Sequence, residues 1–136
     1  MELEQVDLTF LLSYIRVVAW NVEVSDEFQE WWDALDDSEQ ESVAAIEGLL
    51  EERGPTLPFP YSSDVKGSRH GQMRELRIQH KGEPYRVLYA FDPRRTAILL
   101  LGGNKGGDDR WYEVNVPKAD DIYDAYIAEL QSEGLI

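Results

Sequence analysis

The pattern of apolar positions in the first part of the chain predicts one strand followed by one helix. Residues 17–24 (VVAWNVEV) are β-branched or aromatic at most positions, which is typical of a strand. Ser25 follows as a candidate helix N-cap, and Asp26 and Glu27 suit the positive start of a helix. A helix is predicted over residues 26–36 because apolar side chains recur there at helical spacing: Phe28, Trp31, Trp32 and Leu35.

A second helical pattern follows at once. Ser38 with Glu41 three residues later has the sequence of a capping box, which predicts a helix start at this point. Gly54 and Pro55 predict its end. The apolar stripe in between comprises Val43, Ile46, Leu49 and Leu50. Together the two patterns predict a helical hairpin.

The second half of the chain changes to strand periodicity. Residues 55–72 are rich in proline and glycine and predict an ordered loop. Strands are predicted over residues 73–79, 85–91 and 96–101, with turns between them. The last of these runs is almost wholly apolar, which is typical of a strand buried in a sheet.

The end of the chain predicts a glycine-rich loop and a final helix. Residues 102–109 (GGNKGGDD) form the loop, and residues 110–116 extend a strand or lead into the helix. Pro117 is expected near the first turn of that helix. Its apolar positions are Ile122, Tyr126, Ile127 and Leu130. The order β-α-α-β-β-β-α predicts an α+β fold, with an antiparallel sheet packed by the N-terminal helical hairpin and a C-terminal helix.

Composition narrows the kinds of chemistry that are open to this chain. At 136 residues with 43% hydrophobic content, it is long enough for one domain with a packed core. It has no cysteine, which excludes disulfides, thiolate metal sites and a cysteine nucleophile, and fits a reducing cytoplasm. His70 and His80 are too few for a histidine-rich metal site. We therefore expect no metal and no cofactor.

The N-terminal segment is predicted to stand apart from the domain. Its apolar run is shorter than the ~20 residues that span a bilayer, and acidic residues precede it where a secretory signal would be basic. We interpret residues 1–16 as an extension, either an extra helix or a partner-binding arm, ahead of a domain over residues 17–134. A misplaced start codon is the alternative.

The charge of the chain is unevenly distributed. The net charge is −14, which by itself argues against a nucleic-acid partner. Residues 66–110, however, hold ten of the thirteen basic residues against five acidic ones, so this third of the chain carries +5. Such asymmetry indicates a polyanion-binding surface on an acidic body. A set of strands with ordinary solvated faces would give the same count.

An ordered set of short motifs resembles one family. The motifs are ELR at residues 75–77, YRVLY at 85–89, FDP at 91–93, GGNK at 102–105 and RWYE at 110–113, the last followed by a helix. The chain from residue 17 to 134 is similar to the phage-derived HigB-like branch of the RelE/ParE toxin superfamily. The resemblance implies a ribosome-dependent mRNA endonuclease, neutralised by a helix-turn-helix antitoxin of the HigA type in a toxin–antitoxin hetero-oligomer.

Metal-independent RNA cleavage needs groups that bind phosphate and groups that move protons. Arg77 and Arg86 lie on neighbouring strands, so their guanidinium groups can clamp one phosphate. The resemblance matches Arg86 to a functional arginine, Arg77 to a basic position and Tyr112 to a C-terminal tyrosine of the family. Lys105, in its glycine-rich loop, can reach a phosphate. The predicted catalytic residues are thus Arg77, Arg86, Lys105 and Tyr112, and the predicted RNA-binding residues are Arg74, Lys81, Arg110 and Trp111.

Other interpretations of these residues remain open. Each arginine can instead form a salt bridge along the strand, with Glu75 or Glu83, and Tyr112 can be a core aromatic. Several members of the family have a lysine in place of Glu75, and others use a C-terminal histidine that this chain lacks. The sequence therefore reveals no evident general base. A gyrase inhibitor of the ParE type, or a binding module without chemistry, would share this fold.

Overall fold

The computed structural model describes residues 19–136, so the predicted extension over residues 1–16 lies outside the described part. The elements in chain order are strand β1 (Val22–Val24), helix α1 (Asp26–Ala34), helix α2 (Asp37–Arg53), a 3₁₀ turn (Gly54–Thr56), strands β2 (Ser62–Asp64), β3 (Arg74–His80), β4 (Glu83–Phe91) and β5 (Ala97–Asn104), and helix α3 (Trp111–Ser132). The predicted α+β class and the order of its elements are confirmed, with β2 as an additional strand inside the predicted loop.

The five strands form one mixed sheet in the order β1-β5-β4-β3-β2. Strands β3, β4 and β5 pair antiparallel as predicted, β2 pairs antiparallel to β3, and β1 pairs parallel to β5. Hydrogen bonds from Ala97 N to Asn21 O and from Ser25 N to Leu99 O hold β1 in place. The predicted antiparallel sheet thus has one parallel edge, where β1 pairs with a strand more than 70 residues away along the chain.

Apolar side chains cover both faces of the sheet. The face under the helical hairpin packs against α1 and α2, through residues such as Phe28, Val43, Leu50, Val87 and Tyr89. The opposite face packs against α3, through residues such as Met73, Leu88, Ile98, Trp111 and Tyr123. The middle of the sheet is therefore buried on both sides.

The helix boundaries differ from the predictions at two points. Helix α2 begins with a capping box formed by Asp36 and Glu39, with hydrogen bonds of 2.7 and 2.9 Å, two residues before the predicted Ser38–Glu41 pair. Helix α3 begins at Trp111, so Pro117 lies inside it and not in its first turn. Proline lacks the N–H that would bond to the Glu113 carbonyl. Glu113 is exposed, so water can hydrate that carbonyl.

Two glycines of β5 allow tryptophans to pack closely on both faces of the sheet. A Cβ at Gly102 would lie 2.3 Å from the ring of Trp31, and one at Gly103 would lie 2.7 Å from the Trp111 Nε1. Both distances are shorter than van der Waals contact, so a side chain here has to displace the indole ring.

We expect Gly102→Ala to lower the free energy of unfolding by about 1–3 kcal/mol, the usual cost of overpacking a core. Gly71→Ala is the control, because a Cβ there would meet no atom within 4 Å. Urea denaturation of the two variants measures the difference. Equal midpoints for Gly102→Ala and the wild type would contradict the described packing of Trp31.

Candidate active site

Five side chains meet on the α3 face of the sheet, around the carboxylate of Glu75. Tyr112 donates its hydroxyl hydrogen to Glu75 Oε1 at 2.5 Å, and Ser63 donates to Oε2 at 2.6 Å. The two guanidinium groups approach the same carboxylate: Arg77 Nη1 lies 3.3 Å from Oε2, and Arg86 Nε lies 3.5 Å from Oε1. We call Ser63, Glu75, Arg77, Arg86 and Tyr112 the Glu75 cluster.

Strand register explains how the sequence assembles this cluster. Ser63 lies directly opposite Glu75 across the β2–β3 pair, and Arg77 lies directly opposite Arg86 across the β3–β4 pair. Glu75 and Arg77 are two residues apart on one strand, so their side chains share a face. Tyr112, the second residue of α3, completes the group from the layer above.

Burial divides the cluster into an inner pair and an outer cation. Glu75 and Arg86 are both 5% exposed, whereas the Arg77 side chain is 30% exposed. Arg86 donates from Nη1 to the Tyr85 carbonyl at 2.9 Å, but its buried Nε has no hydrogen-bond partner within residues 19–136. One carboxylate beside two guanidinium groups leaves the cluster with one positive charge, carried on the side that faces solvent. Such a site attracts a phosphate.

Tyr112 keeps its proton at neutral pH. Burial raises the pKa of this phenol, and the hydrogen bond and negative charge of Glu75 raise it further, while Arg86 acts in the opposite direction. The protonated phenol therefore donates a hydrogen bond, and the Glu75 carboxylate accepts it.

The cluster is flanked by a cation, Lys105, beside Tyr112 and by an aromatic ring, Phe59, beside Arg77. The Lys105 ammonium lies 5.7 Å from the centroid of the Tyr112 ring, and its loop is held by a hydrogen bond from Lys105 N to the Pro84 carbonyl. On the other side, the Arg77 guanidinium lies over the ring of Phe59, 5.1 Å from its centroid. The Lys105–Tyr112 pair and the Arg77–Phe59 pair are thus connected through the Glu75 carboxylate, which both Tyr112 and Arg77 contact.

Comparisons with known proteins show the family. The family model described as phage derived protein Gp49-like matches residues 30–124, more than half of the chain. The chain belongs to the phage-derived Gp49-like family. Two Mycobacterium tuberculosis proteins that carry the toxin names HigB2 and HigB3 are 39% and 42% identical to it, over 84% and 78% of this chain. These alignments span 57% of the HigB2 protein and 92% of the HigB3 protein.

A solved structure supports the fold of this Gp49-like protein. A variant of the Escherichia coli toxin RelE in the free state aligns with a TM-score of 0.52 and 12% sequence identity, over 74% of this chain and 96% of that one. The HigB relatives confirm the predicted HigB-like relationship, and this structure confirms the predicted RelE-like fold.

Of the eight predicted site residues, Arg77, Arg86, Lys105 and Tyr112 are brought together. Arg74 lies on the hairpin face of the sheet, where it donates to Ser62 at 3.0 Å and pairs with Asp64. The physical reason is strand alternation, which turns Arg74 away from Glu75 and Arg77. The structure therefore separates Arg74 from the Glu75 cluster.

The other three predicted RNA-binding residues also lie outside the cluster. Trp111 is 5% exposed and packs in the core against Gly103, so the prediction that it is a stacking ring was wrong. Arg110 is exposed and pairs with Glu113 one turn along α3. Lys81 lies in the β3–β4 turn with a φ of 50°, four residues past Arg77, or about 13 Å along the strand.

The two histidines have structural partners. His80 Nδ1 lies 2.7 Å from Ser42 Oγ on the hairpin side, and His70 Nε2 lies 2.7 Å from Asp124 on α3. Neither belongs to the Glu75 cluster. No group of acidic and histidine side chains within residues 19–136 has the arrangement of a metal site, and no helix in that range is long and apolar enough to cross a membrane.

Sequence reasoning missed the central role of Glu75. It offered this residue or Glu83 only as an alternative salt-bridge partner for the arginines, and it did not consider Glu75 as a proton acceptor; the structure brings Glu75 to both Arg77 and Arg86. The signal was the period-two alternation of β3, which puts Glu75 and Arg77 on one face. Phe59 was also missed, because nothing in its loop sequence shows that the chain folds back onto Arg77.

Proposed function

We propose that this Gp49-like protein is the toxin of a type II toxin–antitoxin pair, and that it cuts mRNA on the ribosome. The toxin names of its relatives support the first part. The single observation that supports cleavage is the Glu75 cluster. In this cluster two guanidinium groups come from directly opposite positions on neighbouring strands, and a protonated phenol contacts the carboxylate between them. The proposed place of action is the cytoplasm.

The cluster contains a group for each step of metal-independent RNA cleavage. The 2′-oxygen of the ribose attacks the adjacent phosphorus, and Glu75 takes the 2′-hydroxyl proton. Arg77 and Arg86 stabilise the negative charge of the five-coordinate phosphorus, with Lys105 bound to a neighbouring phosphate. Tyr112 protonates the departing 5′-oxygen. The products are a 2′,3′-cyclic phosphate and a 5′-hydroxyl end.

The hydrogen bond between Tyr112 and Glu75 lets the site return to its starting protonation state after each cleavage. After cleavage Glu75 holds the proton of the 2′-hydroxyl, and Tyr112 has lost its own. Because their oxygens lie 2.5 Å apart, the proton passes directly from Glu75 back to Tyr112. No metal is needed in this sequence of steps, and the raised pKa of Tyr112 favours its reprotonation.

The proposed neutralising partner is a helix-turn-helix antitoxin of the HigA type, which forms a hetero-oligomer with the toxin. The net charge of −14 makes the body of this chain a better surface for a basic protein than for RNA. RNA binding is then confined to the Glu75 cluster and the cations next to it.

One observation favours a second function. Because Glu75 already contacts both guanidinium groups, the cluster resembles a structural ion-pair network as much as an empty phosphate site. A gyrase inhibitor of the ParE type, with no chemistry of its own, would be consistent with such a network. A binding module without toxicity is the remaining alternative.

The experiment that tests the proposal is a reconstituted translation reaction with purified protein. We expect cleavage of translated mRNA but not of naked mRNA, and a loss of about 100-fold in rate for Tyr112→Phe. Tyr126→Phe is the matched control, since Tyr126 lies on the same helix and also donates to carboxylates, at 2.7 and 3.0 Å, outside the cluster. Intact mRNA together with inhibited DNA supercoiling by gyrase would favour the ParE-type function instead.

A further inference from the structure

Phe59 is an exposed aromatic ring beside the Glu75 cluster. Its exposure of 69% is the highest among the large hydrophobic side chains that the structure describes. A single exposed hydrophobic residue needs no explanation by itself. Phe59 differs from the others because the guanidinium of Arg77 lies over its ring, at 5.1 Å from the centroid. One face of the ring thus lies under the Arg77 guanidinium, which is a candidate phosphate-binding group, while most of the side chain is open to solvent.

The loop that carries Phe59 is held against the sheet. Backbone hydrogen bonds run from Tyr61 N and Ser62 N to the Pro58 carbonyl, at 3.0 and 3.1 Å. A third, from Arg77 N to the Tyr61 carbonyl at 2.9 Å, ties the loop to β3 at the residue whose side chain covers Phe59. The backbone that carries the ring is therefore held in place before any ligand arrives, which lowers the entropy cost of stacking a base on it.

A cavity of about 410 Å³ lies on the other side of the same loop, between α2 and β3. Its lining includes Ile46, Pro60, Tyr61 and Ile78, and it also reaches Arg77 and Gln79 of β3. Space of this size beside an aromatic residue accommodates a nucleobase. Arg77 borders this cavity and also contacts Phe59 and Glu75.

We infer that Phe59 is a stacking platform for a nucleobase next to the phosphate that Arg77 binds. The inference rests on the proposed function, because it takes RNA as the ligand of the Glu75 cluster. RNA is favoured over a protein partner here because the ring and the phosphate-binding guanidinium are in direct contact. Aromatic stacking accepts any base, so Phe59 adds affinity with little sequence preference.

A fluorescent base tests the platform independently of cleavage. The probe is a short single-stranded oligoribonucleotide that contains 2-aminopurine and a 2′-deoxy sugar at its 5′ side, so that it cannot be cut, bound in the A site of a purified ribosome. Stacking on Phe59 quenches the 2-aminopurine fluorescence. We expect quenching with the wild type and with Phe59→Trp, and at least tenfold weaker binding with Phe59→Leu. Leu135→Ala is the control, because Leu135 is also exposed, at 51%.

The outcomes separate this inference from the proposed function. If the wild type quenches the probe, Phe59→Leu binds it at least tenfold more weakly, and the wild type does not cut translated mRNA, the platform stands and the nuclease proposal fails. If the wild type cuts mRNA and Phe59→Leu quenches and cuts equally well, the platform is overturned and the nuclease proposal stands. Absence of quenching by the wild type overturns the platform in either case. So does unchanged quenching with weaker binding of the antitoxin to Phe59→Leu, which would make Phe59 a protein contact.

Discussion

Arg77→Ala is expected to slow mRNA cleavage by about 100- to 1000-fold, the usual cost of removing one charge-stabilising donor from a transition state. Arg77 provides the exposed guanidinium of the cluster, and its side chain contributes little to the core at 30% exposure. The variant should therefore fold normally and still associate with ribosomes. Single-turnover cleavage of a programmed ribosome measures the effect.

Two further substitutions sharpen the interpretation of Arg77→Ala. Arg77→Lys keeps the charge but loses the two-pronged geometry, so we expect an intermediate rate. Arg74→Ala removes an arginine from the same strand on the opposite face, where Asp64 pairs with it, and should cut at nearly the wild-type rate. Equal rates for Arg77→Ala and Arg74→Ala would contradict the assignment of the site to the α3 face.

Glu75→Gln is expected to lower the free energy of unfolding by about 3–5 kcal/mol, because it removes the charge that balances a buried guanidinium. Both Glu75 and Arg86 are 5% exposed, and Arg86 Nε already lacks a hydrogen-bond partner in the described part of the chain. Chemical denaturation measures the loss. An exposed glutamate on α2 gives the matched control, Glu52→Gln, for which we expect almost no change.

A double substitution separates the structural role of Glu75 from its catalytic one. Glu75→Leu with Arg86→Met removes both buried charges and is expected to recover most of the lost stability, since apolar replacements of a buried ion pair are often neutral. The same protein should remain unable to cut mRNA. A single Glu75→Gln variant as stable as the wild type would show that the charge of Arg86 is balanced elsewhere.

The sheet was largely predictable because its signals are local. Strands β3, β4 and β5 show alternation or a continuous apolar run, and the Lys81–Gly82 turn has the positive φ angles, 50° and 81°, of a tight hairpin. Strand β1 shows the limit of such reasoning. Its three residues have no property that selects a parallel partner far along the chain, and the hydrogen bond from Ser25 Oγ to the Leu100 carbonyl joins residues 75 apart.

The site was predictable only in part, for the same reason. Arg77, Arg86, Lys105 and Tyr112 were found from charge, strand position and family resemblance. Trp111 was misjudged because its burial depends on Gly103, which lies on a different element. Glu75 entered the sequence analysis only as an alternative salt-bridge partner and as a departure from the family's lysine. In the structure it is the hydrogen-bond acceptor around which Tyr112, Ser63 and Arg77 are arranged.

Arg74 shows that part of the missing information was already in the sequence. Residues 74, 75 and 77 lie on one predicted strand, so alternation alone puts Arg74 on the face opposite Glu75 and Arg77. The count of basic residues over residues 66–110 combined side chains from two faces that the sheet separates. Counted face by face, the arginines of β3 and β4 that share a surface with Glu75 are Arg77 and Arg86.

Primer extension on cellular mRNA tests the central claim most directly. The measurement compares transcripts before and after induction of the wild type, Arg77→Ala and Arg74→Ala, without antitoxin. We predict new 5′ ends within translated regions, together with growth arrest, for the wild type and Arg74→Ala, and neither for Arg77→Ala. Unbroken transcripts in cells whose growth has stopped would contradict the nuclease account.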